Sequence, residues 1–258
     1  MGWLGKRIKA NGIAVSDRYA DTEAYFDLTP AGRTLIRTLD PLLERCVRGR
    51  TLDAGAGRLT YTPRLARYAS EVVSLDRYRI REGLSVISEI GSLPFRSESF
   101  DTIFCSQVLE HVPEPRRVLF EFSRILREGG HLVVSVPHLA YLHNEPHDYY
   151  RYTQFGLEHL VQEAGFVVEE MRWSGGLLSF LGHLPSTLAV NLAWGIPLLF
   201  PAVFTLNRLW SRCLAALEAQ DRKQRRFALN LAMVCRRSAL TLPSTCGNRS
   251  RTWNRAPA

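Results

Sequence analysis

The sequence predicts an α/β fold: a doubly wound, mostly parallel, seven-stranded sheet with helices on both faces and an apolar helical insertion before the last strand. Three observations carry this expectation. Seven short runs of apolar and β-branched residues alternate with stretches of helical apolar spacing, the pattern of a parallel sheet covered on both sides. A glycine turn, Asp53-Ala54-Gly55-Ala56-Gly57, follows a short strand and leads through a helical stretch to a second strand ending in Asp76. Hydrophobic residues make up 46% of the 258 positions, enough for one large packed domain without a second.

The elements follow in order. Residues 1–30 are mixed and polar and read as a loosely held helix or arm. Between Ala31 and Val47, Leu35, Ile36, Leu39, Leu42, Leu43 and Cys46 recur at helical spacing, with Pro41 expected to bend or divide the helix. Strands are expected at about 51–54, 71–75, 84–88, 100–106, 131–136, 166–171 and 227–235. Leu59 to Tyr68 has helical spacing. Pro115 to Leu126 reads as a helix with proline in its first turn and Gly129-Gly130 as its stop. Thr153 to Ala164 reads as another, ended by Gly165. The expected organisation is an N-terminal helical arm (1–48), a main domain (49–237, with the insertion at about 174–207) and a disordered basic tail (238–258).

Charge and cysteine content narrow the function classes. The net charge is +8, but from Arg208 onward basic residues exceed acidic ones by nine, leaving residues 1–207 near −1. Nucleic acid, the first suggestion of a basic chain, is therefore disfavoured as a partner of the main body. Five scattered cysteines without C-x-x-C spacing argue against a disulfide framework or a zinc site, so no metal is expected, and they fit a reducing cytoplasm. No charged-then-apolar leader opens residues 1–30.

The glycine turn distinguishes between cofactors. A dinucleotide fingerprint needs a third glycine where this chain has Thr60, and Asp53 would lie against a pyrophosphate. The same carboxylate suits the cationic amino group of S-adenosylmethionine. Glycines admit the ligand where a Cβ would collide, and Asp76, 19 residues past Gly57, can accept both ribose hydroxyls.

Five separated stretches then occur in a fixed order: the turn itself, Glu89-Ile90-Gly91-Ser92-Leu93-Pro94-Phe95, Ser99-Phe100-Asp101, Val108-Leu109-Glu110-His111-Val112, and Arg124-Ile125-Leu126-Arg127-Glu128-Gly129-Gly130. Over roughly Leu52 to Val168 this series resembles the class I S-adenosylmethionine-dependent methyltransferases, in particular the type 11 small-molecule group. The resemblance implies a Rossmann-like sheet with S-adenosylmethionine as cofactor. It assigns Asp53, Gly55 and Gly57 to the methionine part and Asp76 to the ribose. Glu89 falls to the adenine amino group, and Ile90 to the adenine face and ring nitrogens. Leu59 stands where many relatives have a further glycine, a departure expected to be harmless because the position should already belong to the helix start.

On the acceptor side, His111 follows the fourth strand and has the titration range of a general base, although Glu110-His111 could equally order the loop. The stretch Glu145-Pro146-His147-Asp148-Tyr149-Tyr150-Arg151-Tyr152-Thr153 should lie over the carboxyl ends of the strands. Tyr149 and Tyr152 are candidates there for the walls of an acceptor site, with His147 or Arg151 as its polar contacts. Asp148 pairing Arg151 and Thr153 capping the next helix are the structural alternative.

Trp173 to Asn207 is 35 residues without Asp, Glu, Lys or Arg, interrupted by Pro185, Pro197 and Pro201. Arg208, Arg212, Arg222, Lys223, Arg225 and Arg226 follow directly. Docking on an anionic membrane surface, packing on the domain and homodimer formation are all consistent with this pattern. The expected protein is thus cytoplasmic, or peripheral at the inner face of a membrane. Its expected acceptor is a small molecule or a lipid- or glycan-linked compound. Amino-directed nucleic-acid enzymes of this class carry a [DNS]-P-P-[YFW] run where this chain has Ser106-Gln107-Val108-Leu109. A cofactor-binding protein without catalysis is the other alternative.

Overall fold

The computed structural model describes residues 2–20, 22–218 and 225–238. Seven strands form one sheet: β1 Arg50–Ala54, β2 Glu71–Asp76, β3 Val86–Ile87, β4 Phe100–Ser106, β5 Leu126–Pro137, β6 Phe166–Ser174 and β7 Asn230–Arg237. Their spatial order is β3-β2-β1-β4-β5-β7-β6, and only β7 runs antiparallel to its neighbours. The helices are α1 Trp3–Tyr19, α2 Pro30–Cys46, α3 Thr62–Leu65, α4 Pro115–Ile125, α5 Gln154–Glu163, α6 Leu177–Ala193 and α7 Leu199–Glu218. The strand order reverses between β1 and β4, which opens a crevice at their carboxyl ends.

Alternation along the strands divides the core into two layers. Ile103 and Cys105 of β4, Leu132 and Val134 of β5, and Met233 of β7 join α4 and α5 on one face. Phe104, Val133, Ala232 and Val234 point the other way, onto Leu35, Leu39, Leu42 and Leu43 of α2. Residues one apart serve opposite faces because the side-chain period of a strand is two. Thr153 caps α5 as expected, its hydroxyl accepting from the Gly156 N–H at 3.1 Å.

Of the two effects expected of Pro41, division does not occur, and helix α2 runs through it from Pro30 to Cys46. Two expectations are corrected. Helix α4 stops at Ile125, and Gly129-Gly130 lies inside β5, where the pairing with β4 shifts register. A Cβ on Gly130 would sit 2.9 Å from the Asp101 and Arg127 carbonyl oxygens, so close approach of backbones requires the glycine. The helix expected from Leu59 shrinks to the single turn of α3, because Leu59 has φ +60°, a left-handed conformation that a helix start cannot contain.

The N-terminal segment is likewise firmly held. Val15, Phe26, Asp27 and Leu28 are buried, and Asn11 and Asn207 bond backbone carbonyls about 180 positions away. Asp27 takes hydrogen bonds from Arg212, at 2.6 Å, and from Arg208, at 3.4 Å. Two of the basic residues that follow the insertion are therefore paired with a buried acid while their side chains stay partly exposed. Arg222, Lys223 and residues 239–258 of the expected disordered tail lie outside the described residues.

The insertion forms a hairpin of α6 and α7. Gly182 lets the helices approach, since a Cβ there would meet the Leu214 side chain at 2.5 Å. Ser186 donates to Asn207 across the contact at 2.5 Å, and the Glu218 carboxylate accepts from the Gly176 and Ser179 N–H groups at the start of α6. Among the described residues, no helix is long and apolar enough to cross a membrane.

Candidate active site

The glycine turn sits at the carboxyl end of β1. Gly55 and Ala56 donate their N–H groups to the Leu75 carbonyl at 2.8 and 2.9 Å, which joins the turn to β2. Gly55 has φ +78° and Gly57 φ +51°, so both adopt backbone that side chains disfavour. At Gly55 the constraint is also steric, because a Cβ would lie 2.4 Å from Cγ2 of Val108.

Two acids flank the turn. Asp53 is buried, and its Oδ2 accepts from the Thr62 hydroxyl at 2.7 Å. Burial raises its pKa to about 7; the Thr62 hydrogen bond opposes the shift and the nearby Asp76 charge adds to it. Asp76 accepts from the Gly57 N–H at 2.8 Å through Oδ2 and from the Tyr78 N–H at 3.1 Å through Oδ1. Each oxygen keeps a lone pair for a ribose hydroxyl. A buried acid that needs a cationic partner, two turn glycines and a second acid aimed by backbone N–H groups fit S-adenosylmethionine.

Farther along the crevice, Ile90 is half-buried against the core, while Glu89 is exposed and pairs with Arg77 at 2.7 Å. An adenine amino group would share Glu89 with that guanidinium. This segment is clamped from α4 by a device that sequence reasoning missed. Glu121 accepts from the Leu93 N–H at 2.9 Å, and Arg124 donates to the Phe95 and Leu93 carbonyls at 2.8 and 3.0 Å and to Glu121 at 2.8 Å. In the sequence Arg124 opened the fifth stretch without an assigned role, and its i,i+3 spacing from Glu121 reads equally as a surface pair.

The acceptor-side candidates meet. The His111 Nδ1 lies 2.6 Å from the His147 carbonyl oxygen, and the His147 ring lies 3.0 Å from the Tyr149 hydroxyl. Burial lowers the His111 pKa, keeping the imidazole neutral near pH 7. Asp148 and Arg151 form a two-pronged pair at 2.7 Å, which holds the Asp148 carboxyl well below the usual range. Tyr152 is not an acceptor wall: it is buried in the main core, and its hydroxyl donates to the Leu109 carbonyl at 3.0 Å. Glu110 and His143, which complete this cluster, were not singled out in the sequence as ligands or bases. A surface cleft of about 710 Å³ lined by Pro113, Arg116, Phe120, Tyr150 and Leu160 contains none of the cofactor residues.

A doubly wound sheet with an antiparallel seventh strand, an acid–glycine turn and a ribose acid at β2 define a nucleoside-cofactor domain of the methyltransferase class. Residues 52–134 carry a methyltransferase domain of the class I S-adenosylmethionine-dependent type, and S-adenosylmethionine is the cofactor of that class. The family profile described as "Methyltransferase domain" matches residues 52–134. A phosphatidylethanolamine N-methyltransferase of Cereibacter sphaeroides is 33% identical over 106 residues, 36% of this chain and 52% of that protein. A ubiquinone biosynthesis O-methyltransferase of Hahella chejuensis is 30% identical over 102 residues, 33% of this chain and 42% of that protein. The chain thus spans about half the length of the curated relatives it matches.

Among solved structures, an S-adenosylmethionine-dependent methyltransferase from Archaeoglobus fulgidus aligns with TM-score 0.51 and 16% identity, covering 80% of this chain and 92% of that one. The [4+2]-cyclase SpnF aligns with TM-score 0.53 and 20% identity, covering 81% of each chain. A cyclase with this fold means that methyl transfer has to be argued from the site.

Proposed function

We propose that this protein transfers a methyl group from S-adenosylmethionine to an amphipathic, lipid- or glycan-linked small molecule met at an anionic membrane face. The transfer half rests on one observation above all: a buried Asp53 beneath two left-handed glycines, with Asp76 held by backbone N–H groups at the next strand end. When bound, the cofactor supplies an activated sulfonium methyl group. The chain's part is to hold it, to align the acceptor and to exclude water. Asp53 takes the ammonium group, Asp76 the ribose hydroxyls, and Glu89 and Ile90 the adenine. His147 and Tyr149 are the exposed polar pair on the acceptor side, and His147 is the candidate to receive an acceptor proton. His111, with Nδ1 committed to the His147 carbonyl, positions that loop.

The acceptor half is supported by an inverted distribution of side chains in the hairpin. The inward line of α6 is Ser179, Gly182, Ser186, Val190 and Ala193, whereas Leu181, Leu184 and Leu192 face outward. On α7, Asn207 and Ser211 are buried while Leu206, Leu209 and Trp210 are exposed. Leu198, at the tip, is 88% exposed. Helix α1, packed beside α6, adds exposed Trp3 and Leu4 next to exposed Lys6, Arg7 and Lys9. Apolar anchors bordered by basic side chains suit an anionic lipid surface. The hairpin adjoins the acceptor loop, with His183 stacked on Tyr141 at 5.6 Å. Two relatives are named for phosphatidylethanolamine and for ubiquinone biosynthesis, both lipid chemistry.

Labelled cofactor incubated with membrane and cytosol fractions tests both halves. Label should enter the lipid-extractable fraction with release of S-adenosylhomocysteine. Label confined to water-soluble products overturns the acceptor half, and absence of any transfer overturns the first. In flotation with phosphatidylglycerol vesicles, the wild type should float and Leu181→Glu/Leu206→Glu should not. A homodimer that stays below the vesicles identifies a second copy as the occupant of this face instead.

A further inference from the structure

Behind the acceptor loop, side chains from two segments converge on a place that hydrogen bonding leaves unfilled. Glu110 is 0% exposed, and neither of its carboxylate oxygens has a hydrogen-bond partner. A buried carboxylate without donors is costly, and proteins retain one where a cation or a metal completes it. The His111 Nε2 lies 3.6 Å from Glu110 Oε1, and the His143 Nε2 lies 3.9 Å from the same oxygen. One ligand atom from each of the three residues falls within 4.8 Å of the other two.

The outward nitrogens fix which way the rings present themselves. The His111 Nδ1 is 2.6 Å from the His147 carbonyl oxygen, and the His143 Nδ1 is 3.3 Å from the Tyr141 carbonyl oxygen. A carbonyl only accepts, so the His111 ring carries its proton on Nδ1 and keeps a lone pair on Nε2, the nitrogen beside Glu110. At His143 the Arg151 guanidinium also approaches Nδ1, at 3.4 Å, and the ring turns its Nε2 toward Glu110. The Asp148 carboxylate, locked by Arg151, stands 3.9 and 3.6 Å from the two Nδ1 atoms as an outer support. Imidazoles oriented through the nitrogen that does not bind are a recurrent feature of metal sites.

We infer that Glu110, His111 and His143 form a binding site for a zinc-like divalent transition-metal ion. Two imidazoles and one carboxylate select such an ion over magnesium or calcium, which take oxygen ligands. Bond lengths of about 2.0–2.1 Å put neighbouring ligands of a tetrahedral ion about 3.4 Å apart. The two distances to Glu110 need to contract by only a few tenths of an ångström. His143 belongs to the loop between β5 and α5, which can supply the larger movement. The Asn144 side-chain amide, 3.4 Å from the His111 Nε2, can turn its oxygen inward as a fourth ligand or give way to water. No cysteine among the described residues joins the cluster. An acceptor oxygen bound to the ion would depend on the methyl-transfer reading, whereas metal binding itself does not.

The test uses the untagged full chain, stripped with chelator and titrated with Zn2+ or Co2+ alone. One equivalent should bind with a Kd below about 1 µM. The cobalt form should show visible d–d bands without a thiolate charge-transfer band. Glu110→Gln and His143→Ala should each weaken binding at least about 100-fold, whereas Cys213→Ser should not. Glu110→Gln keeps the shape and removes the unpaired carboxylate, so its thermal unfolding should be no weaker than that of the metal-free wild type. No saturable binding, unchanged affinity in both ligand variants, or a thiolate band would each overturn the inference. Metal binding without any methyl transfer would refute only the proposed function; methyl transfer by a protein that binds no metal would refute only this inference.

Discussion

Asp53 makes cofactor binding depend on pH in a way that can be calculated. Its pKa of about 7 in the free protein means that most molecules carry a neutral Asp53 at pH 6. The ammonium group of the cofactor prefers the ionised form, so binding must expel the proton. Below pH 7 the apparent Kd should rise about tenfold per unit, and above pH 8 it should level off. Calorimetry with S-adenosylhomocysteine between pH 5 and 8, in buffers of different ionisation enthalpy, measures both consequences. Affinity at pH 5 should be about 100-fold below that at pH 8, and about 0.9 proton should leave per ligand bound at pH 6. Asp53→Asn keeps an oxygen for Thr62 but has nothing to titrate; it should bind weakly at pH 8 and lose the slope. The metal-free, cofactor-free protein supplies an independent check. A carboxyl whose folded pKa lies above its unfolded value binds extra protons only when folded. Its contribution is therefore fully present below about pH 4 and is lost as pH rises toward 7, by up to about 4 kcal/mol. Cofactor affinity that stays flat from pH 5 to 8, with no proton release, would refute the assignment of Asp53 to the ammonium group.

Three further outcomes follow from the same geometry. Gly55→Ala should destabilise the protein by about 2 kcal/mol or more and abolish cofactor binding, and adding Val108→Ala should recover part of the stability, measured by denaturant unfolding of the single and double variants. Leu59→Gly should stabilise by about 1 kcal/mol, read as a higher unfolding midpoint, because φ +60° is strained for leucine and free for glycine. Arg124→Ala should raise the cofactor Kd several-fold by releasing residues 93–95 and with them the adenine side of the crevice, with binding compared by calorimetry at pH 8.

The turn and the acids that the sequence assigned to the cofactor were legible as one group because they are nearly contiguous. Residues 53–90 contain the turn, its helix and both later acids, and each carries its own local signature: glycine for positive φ, an acid at a strand end. Where the reading failed, non-local contacts had overridden local pattern. Leu59 has helical spacing with its neighbours, yet the turn needs a left-handed residue there, and the helix starts three positions later at Thr62. Gly129-Gly130 has the composition of a helix stop, but Gly130 answers to the Asp101 carbonyl of the neighbouring strand. Arg208 and Arg212 looked like surface charge following an apolar run. Their partner, Asp27, is about 180 positions away and could not be read from spacing.

The acceptor half has the opposite construction, which explains why its residues were found singly and not as a site. His111 comes from the end of β4, His143 and His147 from the loop after β5, and His183 from α6. The parallel pairing of β4 with β5 brings the first two segments side by side. The hairpin that carries His183 is itself packed against still more distant pieces. Val15, Leu28, Val190 and Phe204 form one small apolar cluster, and Tyr19 stacks on Phe204 at 4.5 Å. Helix α1 also reaches the cofactor turn, because Arg58 donates to Asp17 at 2.5 Å. The first helix therefore touches the hairpin through its apolar side and the glycine turn through a charged one. A surface that draws the hairpin toward lipid would act on α1 as well, and through Asp17 and Arg58 on the turn that holds the donor. Under the proposed function, the parts that would choose an acceptor and the parts that would hold the cofactor are joined by the segment that the sequence presented as a loose arm.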